Sequence, residues 1–250
     1  MKPKIYVVGF GPGERPYMTQ QAVDAMTQAD LVVGYTTYVR LLEKQFPELQ
    51  YYATPMRKET DRCRAAVEAA LTGKTVALVS SGDSGIYGMA GVLLEIAAEM
   101  QADVEVIAVA GVTAASAAAA VLGAPLMHDF AVISLSDCMT PLEQIYRRVA
   151  LAAEADFVIC LYNPKSRSRM AYLAEAAKLI QQHRKPETPV GIVRNAGREG
   201  EQAWITTLEK LPEEPVDMFC VVLVGNSQTY VRNGKMITPR GYCVRREESR

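Results

Sequence analysis

Three glycine-rich segments carry the residue types from which a ligand site could be built, and each follows a short apolar run. The first is Gly9-Phe10-Gly11-Pro12-Gly13. Glycines in such a turn let the backbone approach a phosphate at a helix N-terminus. The spacing argues against a dinucleotide, because the third glycine comes one residue early and is followed by Glu14. The next apolar run ends in Val33-Gly34-Tyr35, without the acid that would hold a ribose. No Gly-Lys-Ser/Thr follows, which excludes a P-loop. Taken alone, the segment reads equally as a structural tight turn.

The second segment is Ser80-Ser81-Gly82-Asp83-Ser84-Gly85-Ile86-Tyr87-Gly88. Glycines and small hydroxyl residues between a strand and a helix make an exposed cradle at the edge where open α/β sheets bind ligands. Asp83 has two readings: a cap on the following helix, or a carboxylate that, with backbone amides, holds a polar, charged cofactor. The third segment, Ala110-Gly111-Val112-Thr113-Ala114-Ala115-Ser116, runs into four alanines. A wall of small residues admits a flat ligand or simply another helix.

The elements that must position these segments follow from periodicity. Short β-branched runs over 5–9, 31–34, 75–80 and 104–109 read as buried strands. Residues 20–28, 37–44, 61–71, 89–100 and 113–122 have helical composition, and the third of these stops at Thr72-Gly73. Such alternation predicts a mostly parallel sheet covered on both faces. After Gly123-Ala124-Pro125 the pattern changes. Strands are expected over 130–135, 157–162, 189–193 and 218–224, helices over 141–153 and 169–183, and antiparallel strands at 204–208 and 234–237. The fold class is α/β, with one domain over 1–124, a second over 125–250, and a ligand cleft between them.

Composition excludes several function classes. With 27 basic and 28 acidic residues the net charge is −1, which gives nucleic acid no surface to bind. Cysteines at 63, 138, 160, 220 and 243 form no Cys-x-x-Cys pair, and His128 and His183 are the only histidines, so no metal site is expected. Scattered thiols fit a reducing compartment. The chain enters its first strand without a leader-like apolar stretch, and no run approaches the roughly 18 apolar residues of a membrane span. A cytoplasmic protein without membrane contact is expected.

Together the three segments, with Met18-Thr19, resemble the tetrapyrrole (corrin/porphyrin) methylase family. Pro125-Leu126-Met127-His128-Asp129-Phe130, Ile133-Ser134-Leu135-Ser136-Asp137, Tyr162-Asn163-Pro164-Lys165-Ser166-Arg167 and Ile237-Thr238-Pro239-Arg240-Gly241-Tyr242 are similar to its branch that methylates carbon 17 of precorrin-3B or cobalt-precorrin-3. The family often has Pro after the Gly-Asp pair, where this chain has Ser84.

The resemblance implies S-adenosylmethionine as methyl donor, a tetrapyrrole substrate, a homodimer and a place in cobalamin biosynthesis. It places the donor against Phe10, Gly82, Asp83, Ile86, Tyr87, Thr113 and Ala114, and against Tyr162, Asn195 and Gly225 of the second domain. The loop of Gly11, Pro12 and Gly13 would border the tetrapyrrole. The branch is also associated with ring contraction, which needs proton transfers, and His128 beside Asp129 is the expected carrier. Arg57, Lys58 and Arg167 are candidates for the substrate's carboxylate arms. Another corrin carbon, uroporphyrinogen, or the diphthamide precursor of a related methylase are the alternative acceptors. A non-enzymatic corrin-binding or nucleotide-binding module is the alternative of a different class.

Overall fold

The computed structural model describes residues 2–166 and 169–242. The chain divides into two compact units, Met1–Ala114 and Ala115–Arg250.

The first unit alternates strand and helix: β1 (Lys4–Gly9), α1 (Gln20–Thr27), β2 (Leu31–Tyr35), α2 (Thr36–Glu43), β3 (Tyr51–Thr54), α3 (Glu59–Leu71), β4 (Val76–Ser80), α4 (Ala90–Glu99) and β5 (Glu105–Val109). All five strands are parallel, in the order β3-β2-β4-β1-β5. Alternate residues of each strand feed opposite faces. Val8, Val32, Ala77 and Val79 pack with Ala22, Val23 and Met26 of α1 and Leu42 of α2. Ile5, Val7, Val33 and Leu78 pack with Cys63, Ala66 and Val67 of α3 and Leu93 and Ile96 of α4. The side chain of Thr19 caps α1 by accepting the Ala22 N–H at 3.1 Å. Glu59 and Asp61 lie in the first turn of α3, where acids complement the helix dipole. The expected strands and helices are present, except that the strand expected as buried at 104–109 is an edge strand, β5, of which only Val109 is buried, and β3 is an addition. It is a short edge strand with Tyr52 and Ala53 exposed, so it lacks the apolar run that marks a buried strand.

The helix α5 (Ala114–Leu122) leads into β6 (Gly123–Ala124), β7 (Phe130–Ser134), α6 (Leu142–Glu154), β8 (Val158–Tyr162), α7 (Tyr172–Gln181), β9 (Pro189–Arg194), β10 (Gln202–Thr207), β11 (Cys220–Val224), β12 (Tyr230–Arg232) and β13 (Lys235–Ile237). The main sheet of the second unit runs β10-β9-β11-β8-β7, and only β7 and β8 are parallel. The antiparallel pairing expected at 204–208 and 234–237 is found in β10 against β9 and β13 against β12. Ile145 and Val149 of α6 and Leu173, Ala176 and Ile180 of α7 bury against Ile133, Ile159, Leu161, Ile192 and Val222. Among the described cysteines, 63, 138, 160 and 220 are free thiols, and Cys243 lies outside the described residues.

Candidate ligand site

In the first sheet β1 stands between β4 and β5. From its carboxyl end the chain turns to α1 on one face, whereas β4 leads to α4 on the other. Adjacent strands whose connections diverge leave a crevice at their carboxyl ends, the usual ligand position in open α/β sheets. All three glycine-rich segments meet at this edge.

They meet through main chain. Gly11 donates to the Gly82 carbonyl at 3.0 Å and accepts from the Gly82 N–H at 2.8 Å, while the Phe10 N–H reaches the Ser80 carbonyl at 3.0 Å. A Cβ on Gly9 would lie 2.6 Å from the Ser84 nitrogen, and one on Gly111 would lie 2.2 Å from the carbonyl oxygens of both Gly82 and Gly9. On Gly88 it would sit 2.4 Å from the Asp83 and Ser84 carbonyls. The glycines therefore serve backbone-on-backbone packing. Gly82 itself, at φ +73°, faces open space: an added Cβ would find only the Thr113 Cα, at 3.9 Å.

Asp83 ties this edge together. One carboxylate oxygen accepts the N–H of Gly85 at 2.8 Å and of Ile86 at 3.1 Å, and the other accepts the N–H of Gly111 at 2.9 Å. The helix-cap reading does not hold, since α4 begins after Met89 with no side-chain cap. Asp83 instead shapes its own loop and anchors the neighbouring one. Ionised carboxylates have about four acceptor positions, so a further donor can still be received.

The remaining candidates fall in distinct places. Phe10 is fully buried, its ring edge-on to Tyr38 at 5.8 Å. Gly11, Pro12 and Gly13 are buried too. Ile86 and Tyr87 are exposed apolar side chains beside the open floor at Gly82. In the second unit, the Tyr162 phenol oxygen accepts the Ala115 N–H at 2.6 Å, which joins the end of β8 to the start of α5. Asn195, at φ +52°, follows β9, and its N–H donates to the Phe219 carbonyl.

Gly225 does not join Tyr162 and Asn195. Because β11 runs antiparallel to β8 and β9, Gly225 lies beside Pro189 at the opposite edge of the sheet, its N–H on the Pro189 carbonyl at 2.9 Å. From that level Tyr162 is four residue steps along its strand and Asn195 six, roughly 14 and 20 Å. His128 sits at that same opposite edge, just before β7, since the Asp129 carbonyl accepts the N–H of Val158 at the start of β8. Its Nδ1 meets the backbone of Asp129 more closely than the carboxylate. The Asp129 N–H donates to His128 Nδ1 at 2.9 Å, while the nearest carboxylate oxygen is 3.8 Å away.

Of the three basic candidates, Lys58 is paired with Asp61 at 2.8 Å, Arg57 is exposed at φ +64°, and Arg167 lies outside the described residues. Among the described residues no group of three or more His, Cys, Asp or Glu side chains is placed to hold a metal ion, and no helix is long and apolar enough to cross a membrane.

A further constellation has no counterpart among the sequence expectations. At the carboxyl ends of β7 and β8, Asn163 donates to Ser134 Oγ at 2.9 Å, and Arg169 donates to Ser136 Oγ at 3.2 Å and pairs with Asp137 at 3.6 Å. Tyr172 donates its hydroxyl to Asp137 at 2.7 Å. That hydrogen bond holds the Asp137 carboxyl below its ordinary range, helped by Arg169, and raises the Tyr172 phenol, which Arg169 opposes. The segments 133–137 and 162–167 stand out in sequence, but nothing there indicates that they face each other.

Comparison with known proteins agrees with this geometry. The family model of the Tetrapyrrole (Corrin/Porphyrin) Methylases matches residues 4–212. A probable cobalt-factor III C(17)-methyltransferase of Salmonella typhimurium is 52% identical over 95% of this chain and 99% of its own length. A precorrin-3B C(17)-methyltransferase of Sinorhizobium sp is 39% identical, over 96% of this chain and 97% of the relative. The crystal structure of the methyltransferase CobJ superposes with a TM-score of 0.87 at 35% identity, covering 94% of this chain and 99% of that one. The chain is a methyltransferase belonging to the tetrapyrrole (corrin/porphyrin) methylase family.

Proposed function

We propose that this enzyme transfers a methyl group from S-adenosylmethionine to carbon 17 of cobalt-factor III, a step of cobalamin biosynthesis. The observation that carries the reading is end-to-end identity: 52% with a relative named for cobalt-factor III, against 39% with one named for precorrin-3B. That difference favours a substrate already holding cobalt. Uroporphyrin-III methyltransferase is a neighbour in fold alone, at 23% identity.

The first unit suits the donor. An open backbone floor at Gly82, small residues at Thr113 and Ala114, and exposed Ile86 and Tyr87 offer a cradle for a polar molecule with an apolar side. The family resemblance adds Tyr162 and Asn195, which share one sheet edge of the second unit. The donor brings a methyl group already activated on a sulfonium, so the protein's task is alignment. Backbone lacing suits that task, because main-chain groups lose little freedom when a ligand arrives. A proton-transfer role for His128 in ring contraction would run through Nε2, since Nδ1 is occupied.

Incubation with labelled S-adenosylmethionine and, separately, cobalt-factor III, precorrin-3B and uroporphyrinogen tests the reading by product mass. One added methyl on cobalt-factor III, faster than on the others, is the expected result, and its absence overturns the assignment. Under the same reading the active form is a cytoplasmic homodimer, for which light scattering would give twice the 27.4 kDa chain mass.

A further inference from the structure

Arg62, in the first turn of α3, is 3% exposed, yet among the described residues no carboxylate lies within the 4.0 Å of an ion pair. Charged side chains are seldom buried without a partner, since removing a charge from water is costly. Its contacts are neutral. Nε donates to Thr54 Oγ1 at 2.9 Å, Nη2 to the Pro55 carbonyl at 3.2 Å and Nη1 to Met89 Sδ at 3.8 Å, and the guanidinium lies over the Tyr35 ring at 5.9 Å. Burial pushes its pKa down, against the opposing pull of Glu59 first and then of Cys63, Tyr38 and Tyr35. Guanidinium groups stay protonated in proteins, so the charge persists, with no carboxylate in direct contact among the described residues.

Its position matters. Thr54 ends β3, Tyr35 ends β2, and Met89 follows the glycine loop after β4, so Arg62 lies at the carboxyl edge of the sheet. Directly after the Pro55 carbonyl the chain turns through Arg57, a second cation with no carboxylate in reach among the described residues. Met56, its neighbour in sequence, is exposed at 50%, and Tyr52 on β3 at 47%. Two cations without a carboxylate contact, on a stretch that also exposes apolar groups, complement a flat apolar ring fringed with carboxylates.

We propose that the turn after β3 is a subsite for one carboxylate arm of the macrocycle, received by Arg57 at the surface and drawn by the buried charge of Arg62 beneath. The arm supplies the anion that the fold leaves out. Charged hydrogen bonds of this kind carry the stronger part of carboxylate recognition. The inference rests on the tetrapyrrole reading of the substrate.

The test is an absorbance titration of cobalt-factor III, and of derivatives with single carboxylates converted to amides, on the unaltered enzyme, Arg57→Gln and Arg62→Met. In the unaltered enzyme one amide position should weaken binding about 10-fold, the scale of one hydrogen bond to a charged group. Arg57→Gln should weaken the acid by about the same factor and abolish the acid–amide difference at that position, with S-adenosylmethionine affinity unchanged. Arg57 is exposed, so that variant should fold even if Arg62→Met does not. An acid–amide difference that survives in Arg57→Gln, or no sensitive amide position in the unaltered enzyme, overturns the subsite. Failure of the unaltered enzyme to bind cobalt-factor III at all overturns the substrate reading and the subsite with it.

Discussion

At the carboxyl edge of the first sheet main chain meets main chain, through the exchange between Gly11 and Gly82 and the three amides gathered by Asp83. At the carboxyl edge of β7 and β8 the closure is made by side chains: Ser134 with Asn163, Ser136 and Asp137 with Arg169, Asp137 with Tyr172. The difference has a physical consequence. Backbone contacts bring carbonyls so close that a single Cβ cannot enter, and the edge is held nearly whole or lost. Side-chain contacts can be removed one at a time, because a long side chain can move aside. An edge of the first kind suits a cradle that must hold one shape before any ligand arrives.

The same substitution made in both units should separate backbone packing from side-chain packing most widely. Gly111→Ala drives a Cβ to 2.2 Å from two backbone oxygens, whereas Gly191→Ala meets the side chain of Leu122, whose Cδ1 would lie at 2.4 Å. The first should cost about 3 kcal/mol or more and abolish donor binding. The second should cost about 1–2 kcal/mol, because a leucine tip can rotate. Urea melts with calorimetric titration of S-adenosylmethionine measure both. Equal costs would dissolve the distinction.

Next in size, Asp83→Ala removes the acceptor of three amides and should cost about 1–3 kcal/mol in stability. Donor affinity should fall as well, since the Gly111 loop loses its anchor. Asp83→Asn, with one acceptor oxygen in place of two, should lie between the two. A variant with unchanged stability and donor affinity would show that the loop holds its shape without the carboxylate.

Tyr172→Phe in the second unit should have a smaller effect, and one that depends on pH. The Asp137 carboxyl is held below its ordinary 3.8 chiefly by the Tyr172 hydrogen bond. A depressed carboxyl contributes stability that is present above its unfolded value and lost as pH falls toward its folded one. The variant should therefore lose part of that contribution at neutral pH and show a flatter acid limb below about pH 4. An NMR titration of Asp137 should move back up toward 3.8 in the variant. An unmoved titration would mean that Arg169, not Tyr172, sets the charge.

Smallest is a control. Gly91 lies within α4, and a Cβ added there would meet nothing within 4 Å. Gly91→Ala should raise stability by about 0.5–1 kcal/mol through helix propensity alone. A loss there would show that glycine in this unit matters for reasons other than close packing.

Much of the first unit was legible because local pattern and burial coincide. The apolar residues of β1, β2, β4 and β5 and the periodic faces of α1 to α4 each carry their own signal within a few residues. The glycine segments were legible as special for the same reason. Strand β3 was not, because an edge strand with Tyr52 outward has no buried face on one side. Arg62 was not, because a charge in a helical stretch ordinarily faces water, and its neighbours Thr54 and Met89 come from two other elements.

Which stretches become strand or helix is written locally, since dihedral preference and hydrophobic period are properties of neighbouring residues. The tertiary structure alone decided which stretches stand beside each other. It placed Gly111 against Asp83, 28 residues away, and so turned a supposed helix cap into the tie between two loops. It also set β11 antiparallel to its neighbours, which puts Gly225 and His128 at the edge away from Tyr162 and Asn195. Strand order and direction are settled by the packing of whole faces, and no local run of residues encodes them.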